Sequence, residues 1–197
     1  KNNKLEIVAT DLDIVFYDEI SELNIIEEGN TTTSANVLFD ILRKIPAGTK
    51  INFALKSENK LSLKSQNSDF NLLCLPTSNF PTFDDKFEIE KIEIEKKKFL
   101  SLLNKTKISI SNDDTRHYLN GVYLHATESN KNTFLTGVAT DSHRLSSSSI
   151  AVGNVKSFTS IIIPRKTVFQ LCSLLDNVDE KLFIQTSSNK IKFSLGK

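Results

Sequence analysis

The sequence predicts an α+β fold of duplicated modules, each with two helices packed on antiparallel sheet. Three observations carry this expectation. One pattern recurs at a fixed offset of 130 residues. Three short stretches place apolar residues at helical spacing. Runs of alternating apolar and polar residues follow those stretches, as half-buried strands require.

The repeat is read from several landmarks in one register. Val8-Ala9-Thr10-Asp11 maps onto Val138-Ala139-Thr140-Asp141, Phe39 onto Phe169, and Asn59-Lys60 onto Asn189-Lys190. Apolar character also matches at Leu38/Val168, Ile41/Leu171 and Ile45/Leu175. The first helix is expected over 38–45, with Leu38, Ile41, Leu42 and Ile45 on one face. Its counterpart over 168–175 shows Val168, Leu171, Cys172 and Leu175. A third helix, over 99–106, shows Phe99, Leu102, Leu103 and Thr106. Strand-like runs precede the helices at 31–34, 91–95 and 160–164. Strands are also expected in "KINFAL", "KLSLKS" and "FNLLCL" after the first helix, with a hairpin turn at Ser57-Glu58-Asn59. "ISIS", "VYLHAT", "TFLTGVAT" and "RLSSSSI" read the same way after the second helix.

Segment 75–90 separates the modules, because Pro76 and Pro81 lack the backbone donor that either ladder needs. The join is expected near Glu88, giving domains over 1–88 and 89–197. A full module of 130 residues would begin the first domain about 40 residues before Lys1 and carry the second about 20 beyond Lys197. The chain also contains no Met, so it reads as a window cut from a longer repeat protein.

Composition narrows the function. Lys and Arg total 25 against 24 Asp and Glu, which argues against a whole-body polycation but permits a local basic face. Cys74 and Cys172 lie in apolar runs without a CxxC or a Cys/His cluster, so neither a zinc site nor a disulfide framework is expected, and no cofactor. Buried thiols suit a reducing cytoplasm. No apolar stretch approaches the roughly 20 residues of a membrane span, and no signal-peptide pattern opens the chain.

"VATDSHRL", at 138–145, gathers Asp141, Ser142, His143 and Arg144. One reading is a hydrolase or phosphotransferase using Asp141, His143 and Arg144. Against it, Ser142 and His143 are neighbours, and in an extended strand their side chains diverge. The equivalent stretch of the first module carries Leu12 and Asp13 instead, and no GxSxG elbow exists. No catalytic residue is therefore assigned. A loop histidine without a specific role is the plain alternative for His143.

Four motifs now bear on the family: "RHYLNGVYL" (116–124), "VATDSHRL" (138–145), "IIIPRK" (161–166) and "LPTSNFPTF" (75–83). With them the chain resembles the bacterial DNA polymerase III beta subunit, the replicative sliding clamp, over essentially its whole length. The resemblance implies clamp modules in a three-domain chain that dimerises head to tail into a ring around duplex DNA, helices inside and sheets outside. It implies a non-catalytic processivity factor of DNA replication that tethers the polymerase. Polymerase and clamp-loader subunits would bind by short linear motifs in a shallow pocket. Leu119, Thr140, Ser142, His143, Arg144 and Leu145 match the pocket positions, with Ser142 standing where the family usually has Gly.

The resemblance also sets roles for the cations. Arg43, Lys44, Lys97, Lys98, Arg165 and Lys166 lie at helix starts or on helix polar faces and would give diffuse phosphate contacts without base readout. A solvated helix face accounts for any one of them equally well. Arg116, His117 and Tyr118 are candidate DNA contacts; Tyr118 suits either stacking on an unpaired base or half-buried strand packing. Phe70 and Leu72 alternate on one strand face, which is either core or, as the resemblance implies, a dimer edge.

Overall fold

The computed structural model describes residues 3–66, 68–84, 87, 91–129, 132–153, 155, 157–176 and 181–196. The chain divides into two compact units, Lys1–Asp84 and Asp85–Lys197. Glu88, the expected join, lies outside the described residues.

The first unit opens with an antiparallel hairpin, β1 (Leu5–Thr10) and β2 (Val15–Ile20), in which Thr10 faces Val15. Helix α1 spans Ala35–Leu42, with Arg43 as its C-cap and Lys44 in the turn beyond. The helix therefore ends three residues short of the expected Ile45. Pro46 is the cause: the residue before a proline is pushed out of the α region. A meandering sheet follows, β3 (Ile51–Ser57), β4 (Lys60–Ser65) and β5 (Ser68–Leu73), in the order β3-β4-β5. Leu61, Leu63, Leu72 and Cys74 form its small core, and Leu38, Ile41, Leu42 and Ile45 of the predicted helix face pack against them.

The strand expected over 31–34 is not formed. Side-chain hydroxyls replace the ladder there: Thr32 Oγ1 donates to the Leu75 carbonyl at 2.8 Å and accepts from its N–H at 3.1 Å, while Thr33 Oγ1 donates to the Leu73 carbonyl at 3.1 Å.

The second unit holds β6 (Ile92–Ile94), α2 (Lys96–Thr106), β7 (Gly121–Ser129), β8 (Asn132–Thr140), β9 (Leu145–Ala151), β10 (Ile161–Pro164), α3 (Arg165–Asp176), β11 (Leu182–Thr186) and β12 (Ile191–Leu195). Its sheets run β10-β7-β8-β9 and β12-β11-β6, every pair antiparallel. The buried side chains of α2 are Phe99, Leu102, Leu103 and Thr106, and those of α3 are Val168, Leu171, Cys172 and Leu175. These are the two predicted faces. They meet Val122, Leu124, Leu135, Ile163, Leu182 and Ile184 in one core. Gly137 lets α2 lie close on β8, because a Cβ there would stand 2.5 Å from Leu102 Cδ2.

"ISIS" (108–111) is not a strand. Lys107–Ser109 prolong α2 as a 3-10 turn, and Ser109 Oγ meets Ser146 Oγ at 2.6 Å. Alternation of residue types alone cannot separate a strand from a turn: here Ile108 is exposed while Ser109, Ile110 and Ser111 are all buried. Elsewhere the 130-residue register holds: α1 corresponds to α3, β3 and β4 to β11 and β12, and the β1–β2 hairpin to the joined ends of β8 and β9.

Candidate binding groove and basic helix ends

The Thr-Asp pair closes the same tight turn twice. In the first unit Thr10 Oγ1 donates to the Ile14 carbonyl at 2.9 Å and accepts from the Leu12 N–H at 2.9 Å. Asp11 Oδ1 accepts from the N–H groups of Asp13 (3.1 Å) and Ile14 (2.9 Å). In the second unit Thr140 Oγ1 donates to the Arg144 carbonyl at 2.7 Å and accepts from Ser142 N–H at 3.2 Å. Asp141 Oδ1 there accepts from the N–H groups of His143 and Arg144, each at 3.0 Å. The repeated motif is thus a turn-forming device in which the carboxylate stands in for backbone acceptors.

This geometry bears on the hydrolase reading. Ser142 and His143 occupy the turn between β8 and β9 rather than a strand, so the divergence argued from strand alternation does not apply. The stronger argument is that Asp141 is engaged by the turn and by Arg144, whose Nε donates to Oδ2 at 3.0 Å. Backbone N–H groups of Arg144 and then His143, with the Arg144 side chain, hold its carboxyl below the usual range, contrary to what a general acid needs. Among the described residues no group of three or more His, Cys, Asp and Glu could hold a metal ion.

Ser142 has φ +78°, matching Leu12 at +80°. A non-glycine residue in this region costs about 1–2 kcal/mol, which is the physical reason for glycine at such a position. Its hydroxyl accepts from Arg116 Nη1 at 2.9 Å and so joins the turn to the 111–120 segment. That segment is built by its own contacts. Ser111 N–H donates to the Leu119 carbonyl at 3.1 Å, and His117–Leu119 form a 3-10 turn. Asp113 accepts from the Thr115 hydroxyl (2.6 Å), the Thr115 N–H (3.0 Å) and Arg116 Nε (2.8 Å). Thr115 first, and then Arg116, lower its pKa. Asn120 Nδ2 donates to Asp114 Oδ1 at 2.7 Å, and its carbonyl accepts from Arg165 N–H at 3.0 Å. Gly121 is needed next, since a Cβ there would stand 2.4 Å from the Ile163 carbonyl oxygen.

The structure therefore brings the 116–119 segment and the 140–145 turn together through Arg116 and Ser142. Leu145 is 66% exposed and Tyr118 68% exposed; His143 and Arg144 are exposed and Leu119 is half-buried. Exposed Tyr118 is not packed as a half-buried strand residue. The sequence reading missed Asp113 and the 116–142 bridge. For Asp113 the signal available was the spacing Asp-x-x-Arg, present at 40–43, 113–116 and 141–144; for the bridge there was none.

The basic residues divide. Lys97 and Lys98 sit in the first turn of α2 and Arg165 and Lys166 in that of α3, where the helix dipole disfavours cations by about 0.3–1 kcal/mol each. Lys98 pairs with the N-cap Glu95 at 2.6 Å, and Arg165 lies 4.7 Å over Phe169, whose ring Lys107 also covers at 5.6 Å. Arg43 follows α1 at the end the dipole favours, paired with Asp40 at 3.1 Å and lying over Phe39. Lys44 is exposed beside it.

Phe70 and Leu72 both face the core side of β5. Leu72 is 3% exposed and serves that core. Phe70 is half-buried and also lines an open groove of about 520 Å³ with Val37, Asp40, Ile41 and Lys44. β5 itself ends the described sheet.

Residues 93–197 match the family described as DNA polymerase III beta subunit, central domain, and residues 1–84 match its N-terminal domain. The chain is 31% identical to the beta sliding clamp of Caulobacter vibrioides over 199 residues, covering 100% of this chain and 53% of the relative. It is 35% identical to that of Escherichia coli K12, covering 98% and 51%. A crystal structure of a Bartonella birtlesii DNA polymerase III subunit beta sliding clamp bound to griselimycin superposes with TM-score 0.91 at 35% identity, over all of this chain and 52% of that one. A Caulobacter crescentus polymerase III beta structure gives 0.93 at 31%, over 100% and 53%. The chain spans about half the length of the relatives it matches.

Proposed function

The chain belongs to the DNA polymerase III beta subunit family, and on that premise we propose that it is part of a ring-shaped sliding clamp, a non-catalytic processivity factor of DNA replication. The ring would encircle duplex DNA without reading sequence and would tether the replicative polymerase in the cytoplasm. Polymerase and clamp-loader subunits would dock by short apolar motifs in the groove rimmed by Leu119, Thr140, Ser142, His143, Arg144 and Leu145.

One observation carries this reading. The Thr-Asp turn is formed twice, but only the second copy sets His143, Arg144 and the exposed Leu145 beside a second segment, through Arg116 and Ser142. An extended peptide could bury an apolar anchor against Leu145 and the stem of Arg144. Lys and Arg at dipole-disfavoured helix starts support the inner, DNA-facing role of α2 and α3, because diffuse charge gives retention without register. The open groove beside Phe70, at the end of a sheet, supports homodimerisation along β5. Leu72 would contribute there through the core it fills.

The test is retention of the intact protein on nicked circular DNA across a salt series. Replacing Arg165 and Lys166 together by Ala is expected to shorten retention and to flatten the log–log salt slope by about 2. An unchanged slope would remove α3 from the DNA-facing surface.

A further inference from the structure

Ser142 accepts a strained backbone and returns one contact that glycine could not make, the hydrogen bond from Arg116. Arg116 is thereby held at two points, Nε on Asp113 Oδ2 at 2.8 Å and Nη1 on Ser142 Oγ at 2.9 Å. A guanidinium carries five N–H donors, so this hold leaves a fixed fork for an outside acceptor. Among the described residues the first copy of the turn has no such side-chain bridge: Leu12 has no hydroxyl and Ile14 stands in place of Arg144. Arg144 resembles Arg116 in having an Asp three residues upstream, but its side-chain bond to Asp141 stays within the turn, whereas Arg116 reaches across 26 residues to Ser142.

We propose that Ser142 is a specificity-determining positioning residue of the peptide groove. By clamping Arg116 it makes the groove select peptides that carry a carboxylate side chain next to their apolar anchor. The inference rests on the groove reading given under Proposed function. The physical cause is preorganisation. A long side chain fixed before binding loses less freedom when it meets its acceptor, and a guanidinium–carboxylate contact gains most from correct placement. Asp113 shares the charge of Arg116 but does not fix the plane alone, since a single Nε contact leaves the far nitrogens able to swing.

The experiment uses the intact protein and two labelled peptides, each with two leucines flanking one variable residue, Glu in one and Gln in the other. The ratio of their dissociation constants measures the discrimination. Ser142→Ala and Ser142→Gly are both expected to reduce that ratio by about two- to tenfold, the range for releasing one long side chain. Ser142→Asn is expected to retain it, because asparagine tolerates a left-handed backbone and offers an acceptor oxygen. In an Arg116→Gln background the Ser142 changes should add nothing, as for two residues acting through one interaction. A Ser142 effect that persists in that background overturns the proposal.

The Arg116 Nε–H resonance, followed by 15N relaxation without peptide, separates the two ways of failing. It should be rigid in the parent and in Ser142→Asn, and mobile in Ser142→Ala and Ser142→Gly. A resonance indifferent to Ser142 overturns the clamp while leaving the groove reading intact. Failure of the parent to bind either peptide, with the resonance responding as expected, overturns the groove reading and the specificity role with it.

Discussion

Residues 10–14 and 140–144 make the same turn with the same bonds, yet their surroundings differ. Among the described residues of the first unit, β1 and β2 pair only with each other, and Leu5, Ile7, Val8, Phe16, Tyr17 and Ile20 are all exposed. In the second, the corresponding strands lie in a four-stranded sheet under α2, with Leu135 and Ala139 buried. The helices differ likewise: α3 has four buried side chains, whereas no residue of α1 is buried. Local chemistry fixes the turn and the helix face; burial depends on what else the chain brings to that face.

The largest consequence is in stability. Leu102 is wholly buried between α2 and β8, so Leu102→Ala should lose about 2–5 kcal/mol. Ile41, on the half-buried apolar face of α1, has partly exposed surroundings that can relax, so Ile41→Ala should lose less. Urea unfolding of both variants tests this. Equal losses would mean that the two helices are equally covered in solution.

Leu145→Ala comes next. The side chain is exposed, so the fold should be unaffected; on the proposed groove reading a leucine-bearing peptide binds about tenfold more weakly, since burial of such an anchor is worth about 1.5–3 kcal/mol. Val15 occupies the same place in the first copy, and Val15→Ala should leave peptide binding unchanged. Fluorescence anisotropy with one labelled peptide reads both. Loss of binding in the Val15 variant would move the site.

Acid should loosen the second turn more gently. Asp141 and Asp113 have folded pKa values below the unfolded one, so their support is complete above the unfolded value and fades as the pH falls through the folded values. Protection of the His143 and Arg144 amides, measured against their intrinsic exchange, should therefore hold down to roughly pH 4 and fall below it. Onset well above that pH would show that these carboxylates do not hold the turn.

Much of this contrast was legible in the sequence, and the reasons are specific. The faces Phe99/Leu102/Leu103/Thr106 and Val168/Leu171/Cys172/Leu175 declare themselves because helical period depends only on near neighbours. The 31–34 run looked like its counterpart β10, but β10 is a strand through its pairing with β7, and 31–34 finds hydroxyl contacts to the end of β5 instead. The candidate pocket residues Leu119, Thr140 and Ser142–Leu145 rest on motif resemblance, not on any local pattern. Arg116 was assigned to DNA and Ser142 to peptide, and nothing in their composition links them, because a bond across 26 residues has no local signature. The left-handed backbone at Leu12 and Ser142 was equally silent, since neither is the glycine that normally announces it.

The smallest expected effect uses that shared backbone to isolate the one contact that differs. Glycine at either position relieves about 1–2 kcal/mol of left-handed strain and returns about 0.5–1 kcal/mol to unfolded-chain entropy. Leu12→Gly should therefore stabilise its unit by about 0.5–1 kcal/mol, because Leu12 is 74% exposed and has little packing to lose. Ser142→Gly gains the same strain relief but forfeits the hydrogen bond from Arg116, whose net value is about 0.5–1.5 kcal/mol. The two should nearly cancel, leaving Ser142→Gly close to neutral. Paired denaturant titrations of the two variants measure the difference directly. A stabilisation at 142 as large as that at 12 would mean that the Arg116 bond contributes nothing to the folded state, and that the two turns differ only in what they display.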